Sequence, residues 1–285
     1  AIFLKYAYAI EYDAIDPTQL KLNYELKAIK NLFCAGQING TSGYEEAAGQ
    51  GLLAGVNAVM SIKKKEPLVL KRSEAYLGVL TDDIMTKGIT EPYRLLTSRA
   101  EHRLYLRNDN AQERLIEYGK KIGLVKKEVY ATYKKNLKVF NSQVKYMKEH
   151  KVHQIKKLLK QYNCGNYTLY QLVKRPEVKS FDVLMACKLK NINPDICKKI
   201  DIAIKFEGYI ANQLKNIKKL SNLAKTSLSS IKNYKEVPNL TLEAIDKLNK
   251  IMPQDLEQAS RISGINLVDI AIIKNYITNK SKKHD

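Results

Sequence analysis

The chain has 285 residues, 45% of them hydrophobic, with 49 Lys and Arg against 29 Asp and Glu. It holds enough apolar material for two ordinary cores but no run of 18 apolar residues to span a membrane, and no secretory apolar segment follows its first residues. A formal net charge of +20 argues for a polyanion partner, and four cysteines (Cys34, Cys164, Cys187, Cys197) without C-x-x-C spacing or a nearby His pair argue against a disulfide framework or a zinc site.

Residues 5–12 read as a strand rich in Tyr and Ile that ends at the Asp16-Pro17 turn; 22–27 and 32–35 read as two more short strands. A loop with glycines at 36, 40 and 43 follows, and a helix opens at Tyr44 with Glu45 and Glu46 in its first turn. Small residues at 47, 48, 51, 54, 55 and 58 would bring this helix, Gly43 to about Ile62, close to a sheet. Strand, glycine loop and helix start predict a ligand site, since glycine admits close backbone approach and a helix start leaves N–H groups unpaired. The two carboxylates disfavour phosphate itself. A hydrogen-bonded strand-to-helix turn is the alternative reading.

Beyond the polar break Lys63 to Pro67 the periodicity is helical almost throughout. Helices are expected near 74–86, 110–122 and 126–149, with shorter ones near 168–174 and 180–188. Residues 195–228 predict one long helix, with Ile196, Ile200, Ala203, Ile210, Leu214, Ile217 and Ala224 on one core-facing stripe. After Pro238 come helices near 241–251, 255–262 and 266–279, the last capped by Asn266. The tail Lys280–Asp285 alone reads as disordered.

Charge is unevenly placed. Residues 1–60 carry a net −2, residues 61–160 have 24 basic and 11 acidic residues, and the remainder is again basic. Abundant Lys, Ile, Asn and Tyr suggest an AT-rich coding bias, so part of the lysine excess is compositional. Arginine is the sharper probe: of eight, six lie between Arg72 and Arg114. Guanidinium forks and stacking cannot be copied by an ammonium. Arg99, Arg103 and Arg107 are four apart and would share one face of a helix, with Arg94, Tyr93 and Tyr105 beside them. Guanidiniums interleaved with aromatics suit RNA phosphates and unpaired bases, while surface pairing with Glu91, Glu101 and Glu113 is the competing reading. His102 reads as a packing residue and Cys34 as core. His150, His153 and His284 lack matched carboxylates, and no catalytic or metal constellation can be assembled.

The segments AGQINGTSGYEEAAGQGLLAG (35–55), YAIEYDAIDP (8–17), RSEAYLGVLTDD (72–83), EPYRLLTSRAEHRLYLRNDNAQERL (91–115), KFEGYIANQ (205–213) and EQASRISGI (257–265) closely resemble the GidA/MnmG family, tRNA wobble-uridine modifying flavoproteins, in the family's order. The resemblance implies an α/β remnant of an FAD-binding, Rossmann-like domain over 1–65, a helical tRNA-binding region over 66–236, and a small helical partner-binding module over 237–285. It implies FAD contacts at Gly36, Gln37, Asn39, Gly40, Gly43, Tyr44 and Glu45, and tRNA contacts at Arg94, Arg99, Arg103 and Arg107. Gln258, Ser260 and Arg261 are implied to face a partner GTPase of the MnmE/TrmE type. One departure stands out: Glu257 occupies a place where the family usually has Gly. NADH and a methylene-folate are the implied co-substrates. A homodimer in the bacterial cytoplasm, or in a mitochondrion, is the implied setting. No G-x-G-x-x-G follows a strand, and the family carries that fingerprint and its catalytic cysteine upstream. The chain is therefore expected to be a C-terminal part, inactive alone. A folate- and FAD-dependent tRNA uridine methyltransferase, or a non-catalytic basic RNA-binding fragment, are the alternatives.

Overall fold

The computed structural model describes residues 11–89, 91–190 and 192–281, with side chains described to 279. Almost all of the expected strand at 5–12, His284 and most of the expected disordered tail lie outside the described residues.

Among the described residues the protein is helical, and the expected sheet is not seen. Residues 22–27 and 32–35 form isolated bridges instead of strands: Leu20 with Leu26 and Glu25 with Phe33, both antiparallel. Tyr24 (φ 71°) and Asn31 (φ 63°) take the left-handed conformation, which interrupts any extended run through them. Tyr24 is fully buried, its hydroxyl 2.7 Å from Thr81 Oγ1, and burial pushes its pKa up to about 12.

Helix α1 (Tyr44–Ile62) buries Glu46, Gln50, Leu53, Ala54, Asn57 and Met60, spaced three or four apart, against α2 (Tyr76–Lys87) and the segment before it. Its small residues do not all turn inward: 48, 51 and 55 lie with exposed Leu52, Val59 and Ile62 on the outer face. In the first turns of α2, Gly78 admits no side chain, because a Cβ there would stand 2.2 Å from the Lys71 carbonyl oxygen.

The chain divides into two compact units. Unit one runs to Leu106 and resumes at Asn216; unit two is Arg107–Lys215. This division differs from the one expected at 65 and 236, since 66–106 group by contact with the segment before them. Unit two contains α3 (Ala111–Lys121), α4 (Lys127–Glu149), α5 (Lys156–Tyr162), α6 (Leu169–Val173), α7 (Ser180–Ala186) and α8 (Pro194–Lys205). Met147, Leu158, Leu169, Leu172, Leu184, Ile200 and Ile204 form its core. Thr168 opens α6 with a capping box, and Asn193 caps α8 ahead of Pro194 at its first position.

The expected single helix over 195–228 is two. The ladder breaks at Phe206, two residues before Gly208, and α9 (Glu207–Ala224) follows. Of the expected stripe, Ile196 and Ile200 are buried, whereas α9 buries none of its residues and Leu214 is 43% exposed. The last part of unit one has α10 (Leu242–Ile251), α11 (Leu256–Ser260) and α12 (Leu267–Ser281) around Leu228, Tyr234, Ala244, Leu248, Leu256 and Ile273. Thr241 and Asp255 cap α10 and α11; Asn266 caps α12 as expected, accepting from Val268 N and Asp269 N while Asp269 accepts from Asn266 N.

Ile200 is wholly enclosed in the core of unit two. Ile200→Ala should destabilise that unit by about 2–5 kcal/mol, read as a lower urea midpoint by circular dichroism. A loss under about 1 kcal/mol would mean the site collapses around the smaller side chain.

Candidate functional site

The glycine loop is built from within. Gly36 (φ 94°) and Gly40 (φ 75°) bracket a short 3-10 turn, Gln37–Asn39. Asn39 is fully buried; its Nδ2 donates to the Cys34 carbonyl (2.9 Å) and to Gln50 Oε1 (2.8 Å). Gln50 also accepts from Gly36 N and donates to Thr41 Oγ1 (2.9 Å), so one α1 side chain fixes three points of the loop. Asn39 therefore faces the protein, while Gln37, Tyr44 (94% exposed) and Glu45 face outward. Gly43 has a steric role: a Cβ there would stand 1.7 Å from Glu46 Oε2. Glu46 is buried, and its Oε1 accepts from Leu95 N at 2.7 Å; Oε2 and Asn39 Oδ1 are buried acceptors with no partner among the described residues. The N-cap, Gly43, has no side chain to cap α1, and the first N–H groups beside Tyr44 have no side-chain acceptor among the described residues.

The loop and the arginine-bearing segment form one framework. Thr41 and Tyr93 make a parallel bridge, Tyr93 N donates to Gly40 O and Ser42 N to Tyr93 O. The Arg99 guanidinium lies 4.5 Å from the Tyr93 ring centroid. The expected helical face does not form, however. Only Thr97–Arg99 makes a 3-10 turn, and the chain then runs through turns that bury His102 and Leu106. Arg99, Arg103 and Arg107 thus do not share a helix face. Arg94 and Arg103 are exposed and make no ion pair among the described residues. Arg107 binds Asp109 (2.8 Å).

Arg72 is not a surface residue at all. It is 6% exposed and binds Asp83 (2.7 Å), Asp82 (3.0 Å), both oxygens of Glu101 and the Val79 carbonyl. Burial opposes its charge, but the three carboxylates more than restore it and raise its pKa. Burial likewise works against Asp83, yet Arg72 and Lys87 hold its carboxyl below the usual range. Asp83 also accepts from the Tyr93 hydroxyl (2.8 Å), whose pKa is raised by burial and then by that carboxylate. Burial lowers the pKa of His102, in keeping with a packing role.

Asp82 reaches further, to Arg261 Nη2 at 2.7 Å. Arg261 Nη1 pairs with Glu257 (3.0 Å), whose carboxyl is pushed up by burial against the pull of Arg261. The other two expected partner-facing residues are also engaged within the chain. Gln258 N donates to Asp255 and Ser260 Oγ donates to the Glu257 carbonyl. A cavity of about 390 Å³ lies along this network, lined by Lys71, Arg72, His102, Lys225, Glu257 and Arg261 among others.

Three family models match in order. "Glucose inhibited division protein A" covers residues 1–66, the "tRNA modifying enzyme MnmG/GidA C-terminal helical domain" covers 126–214, and the "tRNA modifying enzyme MnmG/GidA C-terminal helical bundle" covers 216–285. The chain belongs to the MnmG/GidA family. It is 59% identical over 274 residues to the tRNA uridine 5-carboxymethylaminomethyl modification enzyme MnmG of Ureaplasma urealyticum, covering 96% of this chain and 45% of that protein. To the enzyme of the same name from Clostridium botulinum it is 45% identical over 292 residues, covering all of this chain and 47% of the relative. The crystal structure of Aquifex aeolicus GidA (form II) superposes with a TM-score of 0.77 at 38% identity, over 93% of this chain and 43% of that one. The chain thus spans a little under half the length of these MnmG and GidA relatives. Both helical family models fall where the structure is helical, and no described helix is long and apolar enough to cross a membrane.

Arg72→Ala should cost about 3–5 kcal/mol at pH 7, because it leaves Asp82, Asp83 and Glu101 clustered without their cation. In the parent, the stability that Asp83 supplies is complete above the unfolded carboxylate value of about 3.9 and is lost as pH falls through its lower folded value. In the variant the carboxyls favour their protons instead, so stability should rise as pH falls from 7 toward about 5. Urea unfolding across that range reads both trends, and a variant as stable as the parent at pH 7 would refute the role of Arg72.

Proposed function

We propose that the chain serves in a flavin-dependent enzyme that, with a partner GTPase, installs a carboxymethylaminomethyl-type group on C5 of the wobble uridine of tRNA. The reaction is the one for which its MnmG relatives are named. The observation that carries it to this chain is the shared framework of glycine loop and arginine segment, tied by Glu46 to Leu95 and by Thr41 to Tyr93. A cofactor site and an RNA-contacting segment built on the same backbone would hold the target base at a fixed place relative to the cofactor.

The residues present fit part of an FAD. The open N–H groups at the start of α1 and the exposed Gln37 and Tyr44 offer donors and a flat ring, and Glu45 and Glu46 disfavour phosphate there. Gly36, Gln37, Gly40, Gly43, Tyr44 and Glu45 would therefore border the ring or ribityl portion, on the closing part of a Rossmann-like domain over 1–65, with Asn39 holding the loop from behind. A flavin there would supply hydride transfer, recharged by NADH, and a methylene-folate would give the one-carbon unit. Within this chain, Glu46 positions the loop against Leu95, Arg94 and Arg103 bind RNA phosphate, and Arg99 is kept over Tyr93. The helical region 66–236 would take the tRNA. The helices of 237–285 would dock the GTPase, with Gln258, Ser260 and Arg261 shaping that module from inside. The whole enzyme would work as a homodimer in the cytoplasm. A folate-dependent uridine methyltransferase is disfavoured, because residues 126–285 match the helical regions of MnmG/GidA.

Arg94→Ala with Arg103→Ala should weaken tRNA binding and lower the slope of log K against log salt by about one unit per lost phosphate contact. The Lys versions of both should keep the slope while recovering only part of the affinity. Filter binding between 50 and 200 mM salt decides. A slope unchanged by the Ala pair would remove these two residues from the RNA contact.

A further inference from the structure

Unit two holds most of the chain's net positive charge. Between Arg107 and Lys215 stand 24 Lys and Arg and 10 Asp and Glu, a net +14 of the chain's +20 in less than half its length. The excess is ordered on α4, which carries Lys127, Lys134, Lys138 and Lys145, at offsets of 7, 11 and 18 residues from the first. At about 100° per residue these offsets return to within about 20° of the starting direction, so the four lysines line one edge of the helix. At about 1.5 Å per residue that edge is about 27 Å long. The opposite side of α4 bears Phe140, Gln143, Val144 and Met147, turned to the core.

Lys127, Lys138 and Lys145 are exposed and Lys134 is half-buried. Lys145 meets Glu149 at 3.8 Å and Lys134 meets Glu117 of α3 at 3.0 Å, both pairs open to solvent and screened by salt. Lys127 and Lys138 make no ion pair among the described residues. Lysines that merely solvate a helix gain from acids four residues away. Lys145 has such an acid in Glu149, but Lys134 and Lys138 oppose each other at that spacing, a repulsion that Glu117 relieves only at Lys134.

We propose that this edge of α4 is a docking surface for the phosphodiester backbone of RNA. It rests on the proposed function for the identity of that RNA as tRNA. Between the lysines the edge offers Ala131, Asn141 and Ser142, and Tyr130 flanks it with its ring 5.1 Å from Lys134 Nζ and its hydroxyl turned to Glu117. A protein partner needs an apolar centre to its interface, and one half-buried tyrosine ring already covered by Lys134 is little of one. A polyphosphate needs only a line of cations that can displace its counterions. The contact is one of point charges, so it fixes the RNA's position and reads no sequence.

The test uses the 285-residue chain with Lys127→Gln, Lys134→Gln, Lys138→Gln and Lys145→Gln together, titrated with an unmodified tRNA transcript by filter binding between 50 and 200 mM salt. Affinity at low salt should fall about tenfold or more, and the log K against log salt slope should drop by about 2–3 units. The four Lys→Arg version should keep both. If circular dichroism shows the fourfold Gln variant unfolded, Lys127→Gln and Lys138→Gln singly should each remove up to about one unit of slope. An unchanged slope, with the Arg94 and Arg103 variant still weakened, would overturn the α4 surface and leave the proposed function standing. Failure of the parent chain to bind tRNA would overturn both. Unchanged tRNA binding with lost binding of the purified GTPase would give this edge to a protein and overturn the inference.

Discussion

A single buried guanidinium joins parts of unit one that are far apart in sequence. Arg72 takes Asp82 and Asp83 from α2 and Glu101 from the arginine-bearing segment, and Asp82 carries the chain of charge on to Arg261 beside α11. Through Asp83 and the Tyr93 hydroxyl the same cluster reaches the backbone that pairs with Gly40 and Ser42. Five donors in a rigid plane satisfy this set, where an ammonium offers three on a flexible stem. Because these groups are largely withdrawn from water, each depends on the others for its charge, and the cluster stands or falls together.

That role changes the meaning of arginine in this lysine-rich chain. The inference from sequence, that guanidiniums persist where fork geometry matters, holds for Arg72 and Arg261, but both forks are spent inside the molecule. Arg107 and Arg114 are also occupied locally, Arg114 donating to the Arg107 carbonyl at 2.8 Å. Arg94 and Arg103 remain outward. The net positive charge lies instead mostly on the lysines of unit two, whose field does not depend on fork geometry.

Much of this was legible in the sequence, and the misses have local causes. The helices α1, α4, α10 and α12 announce themselves through apolar spacing, and Asn266 through its chemistry as a cap. The short strands are interrupted by left-handed Tyr24 and Asn31, a conformation that asparagine favours but tyrosine does not advertise. The four-residue spacing of Arg99, Arg103 and Arg107 imitates a helix, but burial of His102 and Leu106 suits a series of turns. The glycine loop was visible, whereas the bond from Leu95 N to Glu46 was not, because it spans 49 positions and follows no periodicity. Gln50 was hidden for the same reason: nothing in its sequence context distinguishes a side chain that ties a loop from one that solvates a helix.

Gly43 and Gly78 carry a consequence for how this chain can drift. Every glycine codon begins with two guanines, and the abundance of Lys, Ile, Asn and Tyr marks a coding sequence pulled toward A and T. That pull bears on every glycine of the chain alike. At position 78 even alanine would drive a methyl into the Lys71 carbonyl, and at 43 into the Glu46 carboxylate. Mutational pressure and steric constraint thus act in opposite directions at these two sites, most firmly at 78 where the obstacle is backbone, and a GG pair that persists there records the shape of the backbone in the nucleotide composition of the gene.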